Sequence, residues 1–107
     1  MIVKYYRDVE ALENKQAGFK GAFARYLWSA DDECPNFAMR LMEFEPHGHT
    51  SHHSHREEHE FYILEGEPAY VDAEGNEIRL KVGDTLYVPP DEPHQIKNAG
   101  STVMKLL

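Results

Sequence analysis

From Phe19 onward, short apolar or alternating runs follow one another, and each is closed by a turn signal. Residues 22–28 are rich in aromatic and apolar side chains. Phe37, Met39 and Leu41 alternate with Ala38, Arg40 and Met42, which is the period of a β-strand. Pro46-His47-Gly48 is predicted to break that strand. Residues 49–55 follow, and then residues 61–64 before Glu65-Gly66. Residues 70–72 and 78–82 flank Ala73-Glu74-Gly75-Asn76, a hairpin signal. Gly83-Asp84 marks another turn, Pro89-Pro90 closes residues 85–88, and residues 94–97 and 102–107 complete the set. Strands of about five residues at this spacing predict an all-β sandwich or barrel. Residues 29–36 read as an acidic loop and residues 1–17 as an N-terminal strand or turn. No helix, solenoid repeat or dividing linker is expected.

A chain of 107 residues suits one domain and can bury a modest core without disulfides. Cys34 is the single cysteine, so no internal disulfide can form, and it reads as a plain thiol. No apolar run approaches the roughly 20 residues of a bilayer span. The first eight residues turn polar too early for a secretory signal, so a cytoplasmic protein is expected. The net charge of −8 argues against nucleic acid or an anionic membrane as partner.

The unusual feature is seven histidines, six of them between positions 47 and 59. His53 and His55 are two apart, so in a strand both rings face one side. A turn would bring His59 back alongside them. His94 follows the proline-rich run 89–93 and opens its own strand. Neutral imidazole suits zinc, copper, iron and nickel, and serves manganese. His53, His55, His59 and His94 are therefore the candidate ligands of one divalent transition metal (Mn, Fe, Ni, Zn or Cu). The alternative is a polar surface loop that happens to be rich in histidine. His47, His49 and His52 fit that description, and His52 is expected to point away from the others.

In these residues the chain resembles the cupin superfamily. The first cupin motif, G-x5-H-x-H-x3,4-E-x6-G, is matched from His47 to Gly66. The second, G-x5-P-x-G-x2-H-x3-N, is matched by Gly83, Pro89, His94 and Asn98. His47 stands at the first glycine's place, with Gly48 one residue later, and Asp91 replaces the middle glycine of the second motif. Glu60 corresponds to the usual metal-binding glutamate, but His59 precedes it, and the two face opposite sides of an uninterrupted strand. The chain looks most like small single-domain cupins with four histidine ligands, which share Pro35-Asn36-Phe37, Met39-Arg40-Leu41 and His59-Glu60. That likeness favours His59 as ligand and leaves Glu60 a supporting or strand-face residue.

The resemblance implies a single domain over 1–107, folded as a double-stranded β-helix or jelly-roll-like barrel. Residues 1–18 would be an N-terminal arm and 37–107 the barrel core. It also implies a mononuclear metal-dependent enzyme, dioxygenase-like first of all, acting on a small organic molecule inside the barrel. The alternative is a non-catalytic small-ligand or sensing module. A homodimer is implied too, with the N-terminal strand added to the partner's sheet. Phe37, Met39, Leu41, Tyr62, Tyr70, Tyr87 and Ile96 are candidates for the barrel lining, though core packing explains each equally. Arg25 or Arg40, if turned inward, could pair with a substrate carboxylate. Trp28 is expected in the core or an interface, and 31–33 and 57–58 are expected as solvated acidic runs.

Overall fold

The turn signals divide the chain into nine strands in the computed structural model, which describes residues 1–107. They are β1 (Leu12–Glu13), β2 (Lys20–Trp28), β3 (Met39–His49), β4 (His59–Glu65), β5 (Pro68–Val71), β6 (Glu77–Arg79), β7 (Thr85–Val88), β8 (Gln95–Asn98) and β9 (Met104–Leu106). The only helical pieces are two single turns of 3₁₀ helix, Tyr6–Asp8 and Ala30–Asp32. No helix is long and apolar enough to cross a membrane. Every strand pair is antiparallel, and the order is β6-β5-β8-β3-β9-β4-β7, with β2 on β3 and β1 on β2. The sheet curls around one core in which Phe44, Ile63, Ile96, Met104, Leu106 and Val88 are fully buried. This is the all-β barrel that the strand spacing predicts.

One predicted break is absent. β3 runs through Pro46-His47-Gly48 to His49. The pairing steps from Ala22↔Phe44 to Lys20↔His49, so five positions on β3 are matched by two on β2. The turn residues are absorbed as a β-bulge instead of ending the strand. His47 takes the left-handed conformation, at φ 66°. Gly48 lets the two backbones touch, since a Cβ there would sit 2.7 Å from the Gly21 carbonyl oxygen.

The N-terminal segment packs on its own chain: Leu12 pairs with Ala24 and Glu13 with Phe23. Arg25 fastens it. Its guanidinium donates to the Val9 carbonyl at 2.6 Å and to Glu43 Oε1 at 2.6 Å. Arg25 is thus occupied outside the barrel, which corrects its candidacy as a substrate contact. The β5–β6 hairpin is closed by Asp72, whose Oδ1 accepts the backbone N–H groups of Glu74 and Asn76.

Candidate metal centre

Two loops carry the histidine cluster, and main-chain hydrogen bonds fasten one to the other. His53 N–H donates to His94 O at 3.0 Å, and His94 N–H returns to His53 O at 2.9 Å. The two residues form an isolated antiparallel bridge. Asp91 N–H donates to His55 O at 2.7 Å. Asp91 does so at φ 65°, so both motif positions where this chain lacks a glycine, 47 and 91, have left-handed backbone. Thr50, 4% exposed, continues the seam by accepting Ile96 N–H and donating to Ser51 O. His53 and His55 are therefore not residues of one strand as their spacing suggested. Between β3 and β4 the chain is irregular except for the His53 bridge. The rings still converge, because the loop is stapled to the His94 turn.

The side-chain nitrogens of His53, His55 and His94 lie within 4.8 Å of one another. Each ring is oriented by the carbonyl two residues away. His53 Nδ1 meets Ser51 O at 2.9 Å, His55 Nδ1 meets Glu57 O at 2.8 Å, and His94 Nδ1 meets Glu92 O at 2.7 Å. A carbonyl can only accept, so these contacts favour the hydrogen on Nδ1, with the Ser51 hydroxyl also 3.0 Å from His53 Nδ1, and in that tautomer each Nε2 presents a lone pair. This orienting contact is the usual support of a metal-bound histidine. His59 does not fall within the mutual span of the other three, but its Nε2 is 2.8 Å from His55 Nε2. Two nitrogens bound about 2.0–2.1 Å from one ion at right angles would be roughly 2.9 Å apart. That spacing fits a shared ion. Burial above all, then the charge of Arg40 and the neighbouring rings, pushes the His59 pKa down to about 4. Burial likewise lowers that of His94. Both rings are thus neutral at physiological pH, the form that binds metal.

The cupin-domain family model matches residues 40–107, well over half of the chain. The chain belongs to the cupin family. By structure this cupin is similar to the polyketide cyclase RemF of Streptomyces resistomycificus, with a TM-score of 0.92 and 28% identity, over 99% of this chain and 75% of that one. It is also similar to a predicted oxalate decarboxylase of Thermotoga maritima, with a TM-score of 0.82 and 27% identity, over 98% and 94%. Among curated proteins it matches an uncharacterized protein of Methanocaldococcus jannaschii, 38% identical over 56 residues, or 52% of this chain and 44% of that protein. The chain thus spans less than half the length of that relative.

Around the cluster, strand parity decides which side chains of the cupin face inward. His59 shares the inner face of β4 with buried Phe61 and Ile63, and its ring stacks on Phe61 at 5.0 Å. Glu60 is exposed on the outer face, opposite Tyr87. Tyr62 and Tyr87 lie outside with it, at 47% and 57% exposure, so neither lines the barrel. Phe37 is 73% exposed and forms a surface cleft with Trp28, Cys34 and Met39, which removes Phe37 and Met39 from the lining as well. Leu41 is buried but faces opposite to Met42. Tyr70 and Ile96 are in the core. His52 turns to the β5–β6 hairpin and contacts Asp72 O at 2.8 Å. His47 and His49 line a cleft of about 280 Å³ with Arg79 and Lys97, on the outer face and away from the cluster.

The sequence reading missed a pair beneath His94. Tyr70 lies parallel to the His94 ring at 6.5 Å, and its hydroxyl donates to Glu92 Oε2 at 2.7 Å. Burial and that carboxylate hold the Tyr70 pKa above its ordinary value. Nothing in the local pattern distinguishes Tyr70 from an ordinary core aromatic, and Glu92 reads as a turn residue.

Proposed function

We propose that this cupin holds one divalent transition metal through His53, His55, His59 and His94 and acts as a metal-dependent enzyme on a small oxygen-bearing organic molecule. The observation that carries this reading is the tautomer preference: three Nδ1 atoms each meet a main-chain carbonyl, which favours three Nε2 lone pairs on one side. His53, His55 and His94 are the one group of three or more histidine, cysteine or carboxylate side chains whose ligand atoms come so close together. A divalent ion held there supplies Lewis acidity towards a carbonyl oxygen and, with a redox-active metal, activation of dioxygen. The chain's own part is to keep the rings neutral, to orient them, and to exclude water with Phe61, Tyr70, Val88 and Ile96.

Two similar proteins guide the class of chemistry. One is described as a polyketide cyclase and the other as a predicted oxalate decarboxylase, and polyketides and oxalate alike are rich in carbonyl or carboxylate oxygens. That supports polarisation of a substrate oxygen as the first reading. Dioxygenase chemistry at the same centre is the second, and consumption of dioxygen during turnover separates them. A binding or sensing module would return its ligand unchanged.

The test is metal analysis of protein purified without a histidine tag and incubated with manganese, iron, nickel, zinc or copper salts. About one ion per chain is expected, with uptake lost in His53→Ala and His94→Ala. Equal uptake by the variants, or none by the wild type, overturns the reading.

A further inference from the structure

Four lysines and arginines are half-buried: Arg25, Arg40, Lys97 and Lys105. Three of them sit against a carboxylate. Arg25 pairs with Glu43 at 2.6 Å, Lys97 with Glu77 at 2.6 Å, and Lys105 with Glu65 at 3.4 Å. Arg40 has no carboxylate within ion-pair distance and makes no side-chain hydrogen bond within the chain. Its guanidinium nitrogens are not sealed from solvent, so the group is half-buried, uncommitted within the chain and open to an incoming acceptor.

Arg40 is also well placed. On β3 it shares the inner face with Met42 and Phe44, both core residues. Met42 pairs with Leu106 and Leu106 with Ile63, so β9 bridges β3 and β4 at that level. β9 ends at Leu106. Arg40 on β3 and His59 on β4 both lie past the Leu106 level, towards the same end of the barrel. The charge of Arg40 acts on the His59 ring second only to burial. Tyr26 pairs opposite Arg40 on β2 and brings no charge.

We infer that Arg40 receives an anionic oxygen of the molecule bound at the histidine cluster, and that the site selects carboxylates over neutral compounds. This rests on the metal reading above. The charge count points the same way. The candidate ligands are neutral imidazoles, so nothing in their set offsets a divalent ion. Glu60 is exposed on the outer face, Glu57 and Glu58 are exposed as well, and the Glu92 carboxylate is taken by the Tyr70 hydroxyl. In a chain of net charge −8, the end of the barrel that holds Arg40 would carry a concentrated positive charge. A carboxylate can place one oxygen towards the ion and present another to the planar guanidinium fork.

Cobalt-loaded protein tests the inference, because its visible absorption reports the ion independently of any turnover. Oxalate, a dianionic probe, and imidazole, a neutral one, are titrated by calorimetry into wild type, Arg40→Met and Arg40→Lys. Arg40→Met is expected to weaken oxalate roughly 10- to 100-fold, the range of a charge-assisted contact, with cobalt stoichiometry kept and imidazole affinity within about twofold. Arg40→Lys is expected to keep the charge, lose the fork and fall between. Oxalate affinity unchanged in both variants overturns the inference, as does equal loss of oxalate and imidazole. Should Arg40→Met fail to fold, Arg40→Lys decides by the same comparison. Failure of wild type to take up cobalt at all refutes the metal reading instead, which keeps the two failures apart.

Discussion

Asn98 is the last residue of the second cupin motif, and the structure gives it a mechanical task that can be measured. It is 4% exposed. Its Nδ2 donates to the carbonyls of Phe44 at 3.2 Å, Glu45 at 3.0 Å and Thr102 at 2.8 Å, and its Oδ1 accepts Gly100 N–H at 3.0 Å. One amide thus ties the β3 bulge to the β8–β9 turn. Asn98→Ala removes all four contacts and leaves buried carbonyls without a donor. At about 1 kcal/mol per hydrogen bond, and allowing water to reach part of the gap, the loss is about 3 kcal/mol. For a domain of this size each kcal/mol lowers the melting temperature by roughly 4–8 °C, so a fall of roughly 12–24 °C is expected. Asn98→Asp should be worse, because a carboxylate would face three carbonyl oxygens. Urea unfolding with an unchanged m-value is the assay. A loss below about 1 kcal/mol, or an Asp variant as stable as the Ala variant, would refute this account of the residue.

Other expectations follow from single sites. His47→Gly and Asp91→Gly relieve left-handed backbone at φ 66° and 65° and should each stabilise by roughly 0.5–1 kcal/mol, after allowing for the greater freedom of glycine in the unfolded chain; a lower urea midpoint in both would contradict this. His59→Ala should weaken zinc binding at least about tenfold while Glu60→Ala leaves it unchanged, read by competition with a chromophoric chelator; the reverse order would put the ligand on the other residue. The Asp72 carboxyl is held below its ordinary pKa, first by the backbone N–H of Asn76. Its stabilising contribution is therefore full above the unfolded value of about 3.9 and lost as the pH falls through the lowered folded value. Asp72→Ala and wild type should differ in stability at pH 7 and converge in strong acid, and a constant gap down to pH 2 would remove the electrostatic part of the argument.

How much of this could be read from the chain alone depends on which interactions leave a trace in residue types. Alternation and turn residues do, so the strands at 22–28, 61–64 and 85–88 and the 70–82 hairpin are legible, and so is the barrel. Phase is harder. Placing Tyr62 and Tyr87 inside chose the wrong parity, because aromatic residues occupy both faces of β4, and only the burial of Phe61 and Ile63 there, and of Val88 on β7, settles which face is inner. The break predicted at Pro46 failed because a bulge uses the same residues as a turn. For His59 against Glu60 a signal was present: the motif sets six residues between the ligand position and its closing glycine, and counting back from Gly66 on that spacing gives position 59 and not 60.

The histidine cluster shows the deeper reason why geometry escapes the sequence. His53 and His55 were assigned to one strand, and they converge without one, since the force that gathers them is backbone pairing between two loops. The atoms that favour these tautomers are the carbonyls of Ser51, Glu57 and Glu92, and any residue at those positions would supply the same oxygen. Ligand identity is thus written in side chains, while ligand aim is written in main-chain path. Arg40 belongs to a third kind. Its residue type is visible in the sequence, but its phase is not, since the lining candidates Phe37, Met39 and Leu41 alternate with it and only the burial of Met42 and Phe44 sets Arg40 on the inner face. That it lacks a partner, unlike Arg25, emerges only when every neighbouring carboxylate has been placed. A group left unpaired by the whole fold is a collective property, which is why a substrate preference can be argued from the structure and not from the motif.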